Sequence, residues 1–263
     1  MRLPRRSQDL QLGNSYTMAQ YKFQQLERRL TRNQELRREY TKFMDEYLSL
    51  GRMQLLPGEG DNSDDNTTNK LICFLPHHAV SKESNKTTKT RVVFDASAKS
   101  TTGVSLNDIL IVGPTIQQDL LSIILRLRMY RYVMTADISK MYRQIRVHSK
   151  DYDLQRVLWR RSSDEPLRQY QLVTVTYGTT PATFLATRCL NQLASEEASS
   201  YPLAAEVISR DMYVDDLVTG SNDLLETRKL QEEIIHILKK GGFALHKWCA
   251  NHPDLLKGTP EQL

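Results

Sequence analysis

Apolar residues recur at helical spacing through the first fifty positions of the chain. Tyr21, Leu26 and Leu30 share one face of a helix, and a second apolar set follows further along. That set is Leu36, Tyr40, Phe43, Tyr47 and Leu48. The pattern predicts two helices within residues 15–50, with Asn33 as a candidate N-cap between them. The Arg and Lys residues between the apolar positions indicate a solvated face.

The next segments alternate between polar loops and short strand-like runs. Residues 57–69 are acidic and rich in turn formers, which predicts a surface loop. Residues 71–75 and 90–94 predict an antiparallel hairpin whose tip is the polar stretch 81–89. Thr115 is a candidate cap for a helix that follows. Its expected core face is Ile116, Leu120, Ile123, Ile124 and Leu127.

The second half predicts more strands and two longer helices. Residues 132–136 predict a strand that ends at Asp137, and residues 154–159 and 170–176 predict two strands joined by a polar turn. Helices are expected at 181–195 and 224–240, the latter closed by two glycines. Residues 208–219 read as strand–turn–strand. Because no regular βαβ alternation is present, the fold class expected is α+β.

Composition adds a modest indication about partners. The chain has 263 residues, enough for one large domain or two intimate subdomains, and its 36 Lys+Arg against 31 Asp+Glu give a net charge of +5. A basic excess of this size is compatible with a polyanionic partner such as nucleic acid. Three scattered cysteines suggest no disulfide framework and favour an intracellular, cytoplasmic location. The apolar run 120–125 is too short to span a membrane, and no apolar segment follows the basic start as in a secretory signal.

Two adjacent carboxylates are the main chemical signal. Asp215 and Asp216 interrupt a run that otherwise predicts a hairpin, and charges about 4 Å apart repel by roughly 4 kcal/mol at an effective dielectric of about 20. A site that holds divalent cations tolerates such repulsion, and hard oxygen ligands suit Mg²⁺. Asp137, at the end of its predicted strand, is the candidate third carboxylate of a two-metal site. By itself, an Asp-Asp pair is more often an exposed turn.

Two clusters of His and Cys are candidate zinc ligands. One is Cys73, His77 and His78, and the other is His246, Cys249 and His252. Neither has the paired spacing typical of a structural zinc site, so zinc is not favoured.

The order of several motifs resembles the reverse transcriptases. RVVFD at 91–95, DISKMYRQI at 137–145, YG at 177–178 and YVDD at 213–216 occur in the order of the polymerase motifs of that family. More narrowly, LPHHAVSKES, TRVVFDASAKS, SLNDILIVGPTIQQDL, VTYGTTPATFLATRCL and YVDDLVTG resemble the Pao/BEL group of LTR retrotransposons. The resemblance covers nearly the whole chain.

The resemblance implies catalytic and metal-binding roles for three carboxylates. Asp137, Asp215 and Asp216 match the catalytic aspartates, and the carbonyl of Ile138 is expected to complete one ion's shell. Two Mg²⁺ ions are implied, with Mn²⁺ as the alternative metal.

The resemblance also implies contacts to the incoming nucleotide. Arg91 matches an arginine that binds the triphosphate through its planar donor fork, and Lys89 is a weaker candidate for the same role, the alternative being a solvated lysine. Tyr142 matches the residue under the sugar that excludes a 2′-hydroxyl, the alternative being a packed ring. Gly178 would let the backbone approach nucleotide and template, and Lys247 resembles a lysine proposed to protonate pyrophosphate.

One local departure from the family concerns the start of the helix at 181–195. Relatives usually carry a small residue followed by Pro near this point, whereas here Pro181 comes earlier and Thr183 takes the later place. The departure lies at the start of the helix that is expected to face the nucleotide.

The implied architecture is a right-hand polymerase with its thumb largely missing. Fingers with N-terminal helices are expected at 1–112, palm at 113–147, a fingers insertion at 148–176, and palm with the start of a thumb connection at 177–263. The expected activity is RNA-directed and DNA-directed DNA polymerisation on a primed template with deoxynucleoside triphosphates. A full-length element would add protease, ribonuclease H and integrase domains inside a virus-like particle. One alternative is an inactive or domesticated nucleic-acid-binding fragment. The other is an RNA polymerase, which the bulk of Tyr142 disfavours because RNA synthesis needs room for a 2′-hydroxyl.

Overall fold

The computed structural model describes residues 1–6, 10–56, 71–82 and 89–259. The predicted loop at 57–69 and most of the predicted hairpin tip lie outside these residues. The chain divides into two compact units. The first unit comprises Met1–Val112 and Arg146–Ala182, and the second comprises Gly113–Ile145 and Thr183–Leu263.

Two helices open the first unit, as the apolar spacing predicts. They are α1 (Tyr16–Arg32) and α2 (Gln34–Ser49), and the Asn33 side chain between them accepts a hydrogen bond from the Leu36 N–H at 3.0 Å. The predicted faces are partly wrong, because Tyr21 is 62% exposed and Leu48 is also exposed. Residues that the pattern missed fill the buried faces instead, namely Ala19, Phe23 and Met44.

The strands of the first unit form two antiparallel sheets. In one, the order is β1 (Met53–Leu55), β6 (Arg168–Leu172), β5 (Arg156–Trp159). The other pairs β2 (His77–Lys82) with β3 (Lys89–Phe94). The unit also contains the short helix α3 (Leu106–Ile109) and a 3-10 helix at Ser149–Gln155.

The partner predicted for β3 is wrong. Residues 71–75 form no hairpin strand; their backbone bonds instead to the segment leading into β5, with the Cys73 N–H donating to the Asp153 carbonyl at 2.8 Å and the Arg156 N–H to the Cys73 carbonyl at 2.9 Å. The strand that pairs with β3 is β2, whose sequence begins with two histidines and has no clear apolar alternation.

A buried histidine stands at the centre of the first unit's core. The Nε2–H of His77 donates to the Leu158 carbonyl at 2.8 Å, while Nδ1 accepts from the hydroxyl of Tyr40. The rings of Tyr40, Phe23, Phe94 and Trp159 lie around it. Burial lowers the pKa of His77 to about 4, so the ring is neutral at physiological pH and serves as a hydrogen-bonded core residue.

The second unit has a four-stranded antiparallel sheet in the order β7-β8-β4-β9. Its strands are β4 (Tyr132–Ile138), β7 (Met212–Tyr213), β8 (Asp216–Ser221) and β9 (Leu245–Ala250). Its helices are α4 (Leu120–Leu127), α5 (Ala182–Glu197), α6 (Pro202–Arg210) and α7 (Leu224–Lys240). Short 3-10 helices lie at Met141–Gln144 and Pro253–Leu255.

Three expectations for the second unit need correction. Asp119, not Thr115, caps α4 by accepting from the Ser122 N–H at 2.9 Å. Of the predicted core face only Ile123 is fully buried. Helix α4 begins at position 120 and is short, so only one turn of the predicted face is covered by the core. Residues 208–210 belong to the unpredicted helix α6, so the first strand of the hairpin has only two residues, the second of which is Tyr213 of YVDD.

In the part of the chain that the structure describes, no helix has both the length and the apolar character needed to cross a membrane.

The buried His77 predicts a pH-dependent stability. Its folded pKa of about 4 lies below the ordinary value of about 6.5, so between these values the unfolded chain binds the extra proton. Stability is therefore complete above about pH 6.5 and falls by about 3 kcal/mol as the pH drops to 4. Denaturant unfolding at several pH values measures this loss.

Variants at the two adjacent histidines test the assignment. We expect His77→Gln to remove this part of the pH dependence, because its side chain does not titrate. The exposed neighbour His78 provides the matched control, and His78→Gln should keep the parental slope. Equal slopes for both variants would contradict the assignment.

Candidate active site

The central strand pair of the second unit brings two carboxylates opposite each other. In the β4–β8 ladder, Asp137 pairs with Asp216 at the end of the register that begins with Tyr132 opposite Ser221. Asp215 is the residue before β8, in the loop of the β7–β8 hairpin. All three predicted catalytic aspartates therefore lie at one end of one sheet.

The hairpin loop that carries Asp215 is tight and strained. Tyr213 pairs with Asp216, which leaves only Val214 and Asp215 in the loop, and Val214 has φ of 56°. A positive φ at the first central residue is what a type II′ hairpin turn requires, and glycine normally fills that position. The Ile138 N–H donates to the Asp215 carbonyl at 2.7 Å and ties the loop to β4.

A buried carboxylate anchors the base of the same hairpin. Asp211 immediately precedes β7 and accepts from Arg126 Nε at 2.8 Å and from the Thr219 hydroxyl at 2.8 Å. Arg210 donates to the same carboxylate, and this hydrogen bond raises the pKa of the Arg210 guanidinium. Paired charges of this kind make the base of the hairpin costly to deform.

Both carboxylate oxygens of Asp137 have partners on β9. His246 Nε2 lies 2.9 Å from one oxygen and Lys247 Nζ lies 2.8 Å from the other. A bulge in the β4–β9 ladder between Thr135 and Asp137 permits this, and Lys247 has φ of 53° within it. Glycine is usual at such left-handed bulge positions, so a strained lysine directed at a carboxylate points to function.

The local electrostatics reflect this crowding of negative charge. Burial raises the pKa of the Asp215 carboxyl, and the charges of Asp137 and Asp216 raise it further, while Lys247 opposes the shift. The pKa of Asp216 is raised first by partial loss of hydration and then by Asp137, although most of the residue is exposed. A cation between these carboxylates would relieve their repulsion.

The donor set fits a divalent metal ion, although a complete cage is not formed. Within the described residues, no three His, Cys, Asp or Glu side chains converge closely enough to hold a metal. Mg²⁺ usually needs only one or two carboxylates, with water and substrate phosphates completing its shell. Hard carboxylate oxygens are therefore suitable ligands. A metal ion at Asp137 would replace the contacts of its carboxylate with Lys247 and His246.

Two other predicted site residues belong to the same unit. Tyr142 lies in the 3-10 helix after β4, is half-buried, and its hydroxyl is 3.4 Å from that of Thr183 at the start of α5. Ile138 is fully buried and follows Asp137 in β4. Its N–H is used by the hairpin loop, as described above.

The remaining predicted residues lie in the first unit. Arg91 is exposed on β3, opposite Val80 in the hairpin register, and Lys89 is the first residue of that strand. Gly178 has φ of 97°, and a Cβ there would meet the Phe94 carbonyl at 2.5 Å. Close packing against β3 thus requires glycine at this position, independently of any ligand.

Sequence reasoning missed residues that hold these segments in place. Asn107 donates to the Gly178 carbonyl at 3.0 Å and accepts from the Thr180 N–H at 2.8 Å, within the first unit. The sequence suggests His246 only as a zinc ligand, whereas in the structure its Nε2 contacts the Asp137 carboxylate. The signal in the sequence for a role at the carboxylates is that His246 is adjacent to Lys247.

The second unit places three carboxylates at one end of a four-stranded antiparallel sheet. Comparison with known proteins identifies the family. The sequence model described as reverse transcriptase (RNA-dependent DNA polymerase) matches residues 68–248. The chain belongs to the reverse transcriptase family. No curated protein matches the chain significantly.

Solved structures share the fold at low identity. A foamy viral protease–reverse transcriptase in complex with double-stranded DNA is 18% identical, with a TM-score of 0.58 over 79% of this chain and 30% of that chain. The same type of protein in complex with an RNA/DNA hybrid is 17% identical, with a TM-score of 0.59 over 82% of this chain and 24% of that one. A mutant of the prototype foamy virus protein is 17% identical, with a TM-score of 0.55 over 92% and 25%.

These comparisons confirm the expected α+β reverse transcriptase fold. The chain spans less than a third of the length of the viral proteins that it matches.

The packing of Gly178 predicts a large stability cost for any side chain there. Gly178→Ala combines a left-handed backbone with a clash against the Phe94 carbonyl. Gly103 is the matched control, because it has φ of 76° and nothing within 4 Å of the added Cβ. We expect Gly103→Ala to lower the free energy of unfolding by about 1 kcal/mol and Gly178→Ala by at least twice as much. Equal losses in denaturant titrations would show that the carbonyl moves aside without cost.

Proposed function

We propose that this chain is the fingers-and-palm part of a reverse transcriptase of a Pao/BEL-type LTR retrotransposon. Its activity would be RNA-directed and DNA-directed DNA polymerisation. The observation that carries the proposal is the pairing of Asp137 with Asp216 across β4 and β8, with Asp215 in the adjoining loop. The motif order and the family support it. The first unit would be the fingers and the second the palm.

The carboxylates would hold two divalent ions, Mg²⁺ or Mn²⁺. When bound, the ions would supply acidification of the primer 3′-hydroxyl and neutralisation of the leaving pyrophosphate. Asp137 and Asp215 are the proposed main ligands, with Asp216 and the Ile138 carbonyl completing the set. Lys247, whose Nζ lies 2.8 Å from an Asp137 oxygen, would give a proton to the leaving group.

Four residues would contribute to nucleotide binding and selection. Arg91 presents a planar donor fork suited to the triphosphate, with Lys89 as a second cation on the same strand. Because it has no side chain, Gly178 would also let the backbone approach the nucleotide closely, in addition to its packing role. Tyr142 would lie under the sugar and exclude a 2′-hydroxyl by its bulk.

The partners proposed are a primed RNA or DNA template and deoxynucleoside triphosphates. Viral proteins with this fold are known in complex with double-stranded DNA and with an RNA/DNA hybrid. In a full-length element, protease, ribonuclease H and integrase domains would accompany this part, within intracellular particles.

A catalytically inactive, nucleic-acid-binding role is the second candidate. One observation favours it: Lys247 and His246 already occupy both oxygens of Asp137. An RNA polymerase is a weaker alternative, because the ring of Tyr142 would exclude the 2′-hydroxyl of a ribonucleotide. Primer extension with deoxyribonucleoside or ribonucleoside triphosphates, each with and without Mg²⁺, separates the three functions.

We expect Asp215→Asn to abolish nucleotide incorporation, by about a thousandfold or more, because a metal ligand contributes several kcal/mol to the transition state. Template binding, measured by fluorescence anisotropy, should be nearly unchanged. Asp254→Asn is the control, because Asp254 forms an exposed ion pair with Lys257 in the same unit. The proposal is falsified if Asp215→Asn extends a primer at the parental rate.

We expect Tyr142→Val to admit ribonucleotides, because the smaller side chain leaves space for the 2′-hydroxyl. The ratio of ribo- to deoxyribonucleotide incorporation should rise by about tenfold or more. Tyr201→Val, at a half-buried tyrosine that contacts His236, controls for loss of an aromatic ring. An unchanged ratio would show that Tyr142 only packs.

A further inference from the structure

The direction of Asp215 depends on a backbone conformation that its neighbour resists. Val214 is β-branched and has φ of 56°, a left-handed conformation that costs about 1–3 kcal/mol for such a residue. The conformation persists only if surrounding groups hold it. Relaxation of Val214 to a negative φ would turn the following peptide and, with it, the Asp215 carboxylate.

One side chain outside the hairpin contacts this strained residue. The Val214 N–H donates to Oε1 of Gln117 at 3.1 Å. Gln117 is half-buried and lies two residues before Asp119, the cap of α4. The contact joins positions 97 residues apart in sequence, so it is a tertiary restraint on the loop.

The segment that carries Gln117 is itself fixed to the hairpin. Arg126, in the last turn of α4, donates to the Asp211 carboxylate at 2.8 Å and to the Arg210 carbonyl at 3.1 Å. The residues from Gln117 to Arg126 therefore contact the hairpin at its tip and at its base. A side chain on such a support holds its partner at a defined distance.

Two hydrogen bonds then bracket Asp215. Gln117 accepts from the N–H of Val214, and the Ile138 N–H donates to the carbonyl of Asp215 at 2.7 Å. An amide oxygen is suited to the first task, because it accepts a hydrogen bond without adding a negative charge beside three carboxylates.

We propose that Gln117 is a positioning residue that holds Val214 in its strained conformation and so fixes the direction of the Asp215 carboxylate. As a statement about catalysis it rests on the polymerase function proposed above. As a statement about the loop it stands on the structure alone. Gln117→Met removes the acceptor and keeps the shape of the side chain. The adjacent, exposed Gln118 gives the matched control Gln118→Met.

The first measurement reports on the loop and needs no activity. Amide hydrogen exchange is followed by NMR on the full chain labelled with ¹⁵N-valine, with the Val214 signal assigned by Val214→Ala. We expect Gln117→Met to speed exchange at Val214 about tenfold, the value of one ordinary hydrogen bond, and Gln118→Met to leave it unchanged. The Val218 amide, which donates to the Asp211 carbonyl at 3.0 Å, should stay protected and show that the base of the hairpin is intact. Unchanged exchange at Val214 would overturn the proposal.

The second measurement reports on catalysis by single-nucleotide incorporation on a primed template. Misplacing a catalytic group by about 1 Å costs on the order of a hundredfold, so Gln117→Met should lower kcat by about tenfold to a hundredfold. The KM for nucleotide should change less than about threefold, since Gln117 does not contact the substrate. Parental kcat in a variant with fast Val214 exchange would overturn the positioning role.

Relief of the strain provides a rescue that general destabilisation cannot imitate. Glycine adopts a positive φ without cost, so in a Val214→Gly background the loop no longer needs the full restraint. Adding Gln117→Met to that background should lower kcat by less than about threefold. A loss as large as in the parental background would contradict the proposal.

The experiments distinguish failure of the proposed polymerase function from failure of the proposed restraint on the loop. If the parental chain extends no primer but Val214 exchange responds as expected, the polymerase function fails and the restraint on the loop is upheld.

Discussion

The site depends above all on the antiparallel pairing of β4 with β8. That ladder sets Asp137 opposite Asp216, and a shift of one residue would turn every side chain of one strand to the other face. Hydrogen bonds near both ends of the β4–β8 ladder stabilise this register. At one end the Ile138 N–H bonds the hairpin loop, and near the other the buried Asp211 accepts from two arginines and from Thr219 on β8.

Backbone strain collects around the same carboxylates. In the described part of the chain, three non-glycine residues have positive φ: Lys140, Val214 and Lys247. Each lies within three residues of an aspartate or contacts one through its side chain. Such conformations are costly and persist where the surroundings determine them, which is common at functional sites. The strain lies in the second unit, while the first unit is held by ordinary packing around Tyr40, His77 and Trp159.

The sequence predicts the parts of this fold that local pattern determines. Helices α1, α2, α5 and α7 follow from apolar spacing and caps, and the aspartates are evident from their motifs. The strand β2 has no clear apolar alternation and β7 has only two residues, so their sequences carry little signal. The bonds from His246 to Asp137 and from Gln117 to Val214 depend on a bulge and a left-handed turn, which no periodicity reveals. The roles of Arg91, Lys89, Tyr142, Gly178 and Lys247 remain predictions from the resemblance.

The left-handed bulge at Lys247 has a consequence for protein engineering. A glycine there would adopt the same backbone without the cost of about 1–2 kcal/mol that a lysine incurs, and it would also remove an exposed cation. A library selected only for thermal resistance would therefore enrich glycine at this position and discard the ammonium group at Asp137. Stabilising programmes on this chain need a simultaneous selection for function, since heat tolerance alone would reward the loss of a group aimed at the carboxylates.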